Sequence, residues 1–206
     1  MWSADERTDI GHREQEGHMA SGWWNVTREG DEGLPTMLVQ AISAATALCV
    51  GELLCAPIYV ALVGGKVALV PWALTACLLS VAFVYTVGFA LLWCVEGLMR
   101  NGTPRWRPLI GGVAGLIGFG FWGRFVIAAF LDSLRVPLGL SPLGLGPIVT
   151  VVINSAVLGF AAFFLGYIAP KALAKRRATV IVMGVATVVL AIAGGYYLSR
   201  MYAVLY

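Results

Sequence analysis

Charged residues are scarce in this chain, and the scarcity is concentrated after Leu34. Only 12% of the 206 residues are charged and 59% are hydrophobic, whereas a soluble domain carries about 25% charged residues. Eight of the eleven acidic residues precede Leu34. The net charge of +3 therefore combines an acidic tail with a basic remainder, and a water-soluble domain is excluded for most of the chain.

Motifs of known chemistry are missing as well. Both histidines, His12 and His18, lie in the tail, so the apolar part can hold neither a Ser–His pair nor an HExxH zinc helix. A single acidic residue near mid-span removes a paired-carboxylate site, and the chain has no GxxxxGK[ST] phosphate-binding loop. No basic patch with interleaved aromatic residues is present. We expect no enzyme activity, no cofactor or metal, and no nucleic-acid partner.

What the chain does have is long apolar runs, each able to cross a hydrocarbon core that takes about 20 helical residues. The sequence predicts an all-α integral membrane protein, a bundle of five transmembrane helices in residues 36–206. All four cysteines fall inside these runs, where we expect packing residues rather than disulfides. The five predicted spans are Met37–Val63, Val67–Leu98, Pro108–Leu131, Pro147–Ala169 and Ala178–Val204.

Residues 1–35 predict a disordered acidic N-terminal arm, because they are charged, rich in glycine and poor in aliphatic residues. The arm has no basic segment followed at once by an apolar core, so we do not expect it to be a secretory signal peptide. We expect it to form a unit separate from the membrane domain.

Basic residues in the loops alternate, and this alternation predicts the orientation. Loops one and three each hold a single basic residue, Lys66 and Arg135. Loop two holds three, which are Arg100, Arg105 and Arg107. Loop four holds four, which are Lys171, Lys175, Arg176 and Arg177. Since Lys and Arg stay on the cytoplasmic side, the chain is predicted to run N-in and C-out. We expect the bacterial cytoplasmic membrane.

The third span is unusually rich in glycine, with six between Gly111 and Gly123. Small residues let another helix backbone approach closely in lipid. Gly112, Gly115 and Gly120 are the candidate helix-packing residues. A neighbouring helix of the same chain and a dimer partner both remain open, with the first favoured.

Charged residues inside spans are costly, about 2.5–3.5 kcal/mol each at mid-helix on insertion scales. Near the span ends, local pairs can account for them. We expect Glu96 to pair with Arg100 at i,i+4 and Asp132 with Arg135 at i,i+3.

Three polar residues lie deeper, and they are the candidate binding residues: Glu52, Arg124 and Asn154. Arg124 is expected on a stripe with the glycines, about seven residues, or roughly 10 Å, from the outer end of its span. Because consecutive spans run antiparallel, we expect Asn154 at about the same depth in the membrane as Arg124, and Glu52 slightly deeper.

Three hypotheses fit these residues. They could form one buried cluster that binds an ion, relays a proton or holds a polar solute. Alternatively, Arg124 snorkels to the outer surface while Glu52 is protonated and Asn154 bonds a neighbouring helix. In the third, Glu52 and Arg124 form a structural ion pair that fixes helix register.

Two functions suit a small five-span protein without a large soluble domain. The first is a non-catalytic accessory or assembly subunit of a larger membrane complex. The second is a small-solute or ion transport component that uses the polar cluster. We expect the lipid bilayer, other membrane proteins or further copies of the chain as partners.

The orientation gives the first testable prediction. In a background without the native cysteines, single cysteines in the arm and in the loop at 171–177 should react only after the membrane is permeabilised, because both are predicted to be cytoplasmic. A cysteine at Tyr206 should react from outside. An arm that labels from outside would overturn the assignment.

Overall fold

The computed structural model describes residues 35–99, 104–173 and 176–205. Within these ranges the chain is helical, with no strands. The five predicted spans are confirmed as five helices long and apolar enough to cross a membrane. They are α1 Thr36–Leu62, α2 Leu69–Leu98, α3 Arg107–Arg135, α4 Leu145–Leu173 and α5 Arg177–Leu205. The predicted disordered arm, apart from Pro35, lies outside the described residues.

The surface of the bundle is apolar, as a lipid-facing surface must be. Large side chains are exposed on every helix, among them Leu54 at 76% and Ile192 at 68%. Soluble monomers rarely expose contiguous apolar patches larger than a few hundred Å². Helices also satisfy their own backbone hydrogen bonds, which hydrocarbon cannot do for them. The chain therefore has the spanning helices and the apolar surface of a membrane protein.

Helices α3 and α4 run antiparallel in close backbone contact. A Cβ atom added at Gly115 would collide with the carbonyl oxygen of Gly159, and one added at Gly159 would collide with that of Gly115. Further along, a Cβ at Gly112 would lie 2.9 Å from the Phe160 ring and one at Gly120 3.3 Å from Ala156 Cβ. The backbones meet because these positions have no side chains.

Helix α2 connects the other helices through aromatic side chains. Trp72 lies 5.5 Å from Tyr59 on α1 and 5.7 Å from Phe130 on α3, measured between ring centroids. Deeper in the bundle, Phe83 packs against Phe119 at 4.9 Å and Phe163 at 6.0 Å. Rings at these separations add to the energy of area burial. They hold α1, α3 and α4 around α2.

Helices α2 and α3 each contain one π-helical segment, Val84–Gly88 and Gly123–Ile127. A π segment widens the turn locally and changes the phase of the helix that follows. In α2 the Thr86 hydroxyl donates to the Ala82 carbonyl at 2.6 Å. A regular 3.6-residue pattern read from sequence therefore fails beyond Gly123.

The loop between α1 and α2 is tied to the loop between α3 and α4. Lys66 Nζ donates to the Leu138 carbonyl at 2.8 Å. Arg135 donates to the Ser141 carbonyl at 2.7 Å and to the Leu62 carbonyl.

The predicted Asp132–Arg135 ion pair is therefore wrong. Asp132 instead accepts a bond from the Leu143 N–H at 2.6 Å, and Arg135 donates to backbone carbonyls. Loop backbone groups near lipid need partners, and these two side chains supply them.

The α3–α4 contact gives the second prediction. Gly115→Ala and Gly159→Ala should each lower the stability of the detergent-solubilised protein by about 1–3 kcal/mol, the usual cost of overpacking. Gly120→Ala should cost less, because its Cβ would meet another Cβ at 3.3 Å rather than a backbone oxygen.

Gly195→Ala is the matched control, since a Cβ there meets nothing within 4 Å. It should be neutral or stabilising by about 0.5–1 kcal/mol, the helix cost of glycine. Thermal unfolding followed by circular dichroism measures all four variants. Equal stability of Gly115→Ala and Gly195→Ala would show that α3 and α4 do not touch in this way.

Candidate functional site

Two charged residues in the described helices lie more than two turns from both helix ends. Glu52 lies in α1, between Thr36 and Leu62, and Arg124 lies in α3, between Arg107 and Arg135. At 1.5 Å per residue, each is about 15–16 Å from the nearer end of its helix. These two residues carry the strongest electrostatic constraint on the membrane part.

Glu52 points into the bundle. Its exposed fraction is 0%, and neither carboxyl oxygen has a hydrogen-bond partner among the described residues. Two thiols flank it: Cys49 donates to the Cys77 carbonyl at 3.9 Å, and Cys77 donates to the Cys49 carbonyl at 3.8 Å. The carboxyl also lies within electrostatic range of the Cys77 thiol. The carboxyl therefore lies in a buried site close to two thiols.

Asn154 reaches the same region from α4. Its amide nitrogen donates to the Tyr59 hydroxyl at 2.7 Å, two turns along α1 from Glu52. Asn154 is half-buried, whereas Tyr59 is buried at 0% exposure. This is a side-chain hydrogen bond between two spanning helices, of the kind that stabilises helix pairs in lipid.

Arg124 points the other way. It is exposed on the outer surface of the bundle, and its guanidinium carbon lies 5.6 Å from the centroid of the Phe125 ring. No acidic side chain in the described part of the chain lies within ion-pair distance of it.

Arg124 lies farther from the end of its helix than expected, and on a different face. Helix α3 continues four residues past the predicted end at Leu131, to Arg135. Successive four-residue steps drift about 40° around a helix of 3.6 residues per turn. The π segment that contains Arg124 shifts the phase further. Gly112, Gly120 and Ala128 of the expected stripe are buried, while Leu116 and Arg124 are exposed.

The three candidate binding residues are thus only partly brought together. Glu52 is buried within electrostatic range of Tyr59, Asn154 donates to the Tyr59 hydroxyl, and Arg124 is exposed. The Glu52–Arg124 ion pair is not formed in the structure. The three candidate packing glycines, Gly112, Gly115 and Gly120, are all buried against α4.

At the other end of the bundle, Glu96 finds a different partner from the expected one. Its carboxylate lies 3.6 Å from Arg107 Nη1, and Arg107 also donates to the Met99 carbonyl at 3.4 Å. Arg100 lies outside the described residues. The pair joins α2 to α3, which a search for local i,i+4 partners could not find.

The Cys49–Cys77 contact was also missed by sequence reasoning. A single sequence does not determine which positions of α1 and α2 face each other, so no sequence pattern predicts this contact. Tyr59 could have been found from the sequence, because it shares the helical face of Glu52 at seven-residue spacing.

No group of three or more His, Cys, Asp or Glu side chains in the described ranges is placed to hold a metal ion.

Comparison with known proteins gives no relative of this chain. No protein-family model matches it, and no curated protein and no solved structure matches it. The functional inference therefore rests on the geometry of Glu52, Tyr59, Asn154 and Arg124.

Two double-mutant cycles form the third prediction. Tyr59→Phe and Asn154→Ala should be coupled by about 0.5–3 kcal/mol, because the two side chains share one hydrogen bond. Glu52→Gln and Arg124→Leu should be additive within about 0.3–0.5 kcal/mol, because they share no partner. Unfolding of single and double variants in the same detergent measures both couplings. Coupling between Glu52 and Arg124 would contradict the outward position of Arg124.

Proposed function

We propose that this protein is a non-catalytic accessory or assembly subunit of a larger membrane complex. The observation behind the proposal is the exposed guanidinium of Arg124, deep in α3 and without an acidic partner in the described residues. Arg at mid-bilayer costs about 2.5–3.5 kcal/mol on insertion scales and more on an isolated helix in simulations. A group with that cost on an outer surface is explained if another protein covers it.

The glycines support the same proposal by elimination. Gly112, Gly115 and Gly120 are occupied by α4 of the same chain, so they do not offer a surface to a second protein. The contact surface must lie elsewhere, and Arg124 marks the exposed side of the same helix. We further propose the bacterial cytoplasmic membrane as the location and no enzyme activity of its own.

A transport component is the second candidate, and one observation favours it. Among the described residues, both oxygens of the fully buried Glu52 lack a hydrogen-bond partner, and so does the buried Ser80 hydroxyl. Unpaired polar groups inside a membrane bundle are expensive and are typical of ion or proton paths. Glu52 nevertheless shares its helix with the buried apolar residues Leu48, Ala56 and Tyr59.

Co-purification under mild conditions gives the fourth prediction. The tagged chain, extracted from its native membrane in mild detergent, should migrate with at least one other membrane protein in fixed stoichiometry. A variant lacking residues 1–20 is the matched control, and it shows how far the arm contributes. Migration of the chain alone, or only with copies of itself, would contradict the accessory role.

The same preparation separates the two candidates. Reconstituted alone in liposomes with an internal pH-sensitive dye, an accessory subunit should not move protons under an imposed potential. Proton uptake that is abolished by Glu52→Gln and kept by Gly195→Ala would instead establish the transport component.

A further inference from the structure

We propose that the exposed side of α3 around Arg124 docks a transmembrane helix of a different polypeptide, which presents an Asp or Glu carboxylate at the depth of Arg124. This inference rests on the proposed accessory role and names the chemistry of the partner. We call the surface the Arg124 face; it consists of Val113, Ile117, Phe121, Arg124 and Phe125.

The Arg124 face is one continuous stripe. Val113, Ile117, Phe121 and Phe125 follow one another at four-residue intervals, with exposed fractions of 44%, 52%, 62% and 65%. The rings of Phe121 and Phe125 stack with centroids 6.2 Å apart and planes 2° from parallel. Arg124 lies over the second ring. Two stacked rings beside a cation give this surface a polar, aromatic character that a purely aliphatic lipid-facing helix lacks.

Snorkelling does not account for Arg124. Side chains on a helix lean toward its N-terminus, and the N-terminus of α3 is the more distant end, 17 residues away at Arg107. The edge of a hydrocarbon core of about 30 Å centred on α3 lies about 20 Å from Arg124 in that direction, which is beyond the reach of an Arg side chain. The nearer end of the helix, at Arg135, is its C-terminus, and the side chain leans away from it. A partner protein at the same depth can bind the guanidinium, which the lipid headgroups cannot reach.

The partner must be a different chain. Only three acidic residues follow Leu34, and none can meet Arg124 from a second copy. Glu52 is fully buried, Glu96 pairs with Arg107 near the end of α2, and Asp132 binds the Leu143 N–H. A carboxylate is the group that best matches the forked donors of Arg. It must therefore come from a second polypeptide.

Helix α5 provides the contrast within the same molecule. Its exposed positions in mid-helix are aliphatic, including Val185, Val188, Val189 and Ile192. None of these needs a partner in hydrocarbon. The α5 surface is therefore the matched control for a lipid contact, with Ile192 at a depth like that of Phe121.

The test is photocrosslinking in native membranes. A photoreactive phenylalanine analogue is placed at Phe121 in one sample and at Ile192 in another. We expect the first to form one protein adduct whose crosslinked peptide lies in a membrane span containing Asp or Glu, and the second to react with lipid only. Arg124→Leu should reduce the Phe121 adduct at least tenfold, whereas Arg124→Lys should retain a measurable part.

A charge swap tests the recognition chemistry directly. Arg124→Glu should abolish the adduct, and replacing the partner's carboxylate residue by Arg should restore it. Because Arg124 is on the surface, its variants should keep the wild-type unfolding temperature in detergent. Failure of the swap with both proteins folded would overturn the proposed carboxylate.

The other outcomes are equally decisive. An adduct at Phe121 that survives Arg124→Leu, or that forms with lipid alone or with a second copy of the chain, overturns the docking surface. If other membrane proteins co-purify but no adduct forms at Phe121, the accessory role stands and this surface is wrong. If nothing co-purifies and no adduct forms, both proposals are overturned.

Discussion

The contact between Gly115 on α3 and Gly159 on α4 determines how the rest of this bundle is arranged. Each backbone oxygen occupies the space that a Cβ on the other residue would need, so the contact admits one rotation of α3 about its axis. Lipid offers no hydrophobic drive for helices to associate, and close packing must supply the energy. Once the glycine side of α3 faces α4, the opposite side faces outward, and Arg124 is on that side.

The sequence was sufficient to predict the helices but not their rotations. Apolar runs of span length predict α1 to α5 because the hydrocarbon core imposes a minimum length. Glycine density predicted a packing face on α3, and in the structure Gly112, Gly115 and Gly120 lie against α4. The direction of Arg124 could not be predicted, since the π segment Gly123–Ile127 breaks the 3.6-residue phase at the position that matters. The bonds of Asp132 and Arg135 were missed because their partners are loop carbonyls and N–H groups.

Glu52 and Arg124 lie at comparable distances from the ends of their helices yet are kept apart. One is buried among Cys49, Cys77 and Tyr59, and the other is exposed. Pairing them would have required α3 to turn its charged side inward and its glycines outward, which would remove the contact with α4. The bundle thus keeps the close contact between the α3 and α4 backbones, and Glu52 and Arg124 are left unpaired with each other. The two residues then have separate roles: Glu52 belongs to the interior and Arg124 to whatever lies outside.

Hydroxyl groups on the lipid-facing surface show why Arg124 is different in kind. Thr86 and Thr150 each donate to the carbonyl four residues earlier in the same helix, and Ser199 donates to the carbonyl three residues earlier. A short hydroxyl can satisfy itself in this way because a helical carbonyl is within its reach. A guanidinium has five N–H donors and a charge, and the carbonyls of its own helix supply no counter-charge. These three exposed hydroxyls are thus bonded within their own helices, whereas Arg124 has no acidic partner among the described residues. A carboxylate from another chain, at the same depth, would supply both the acceptors and the counter-charge.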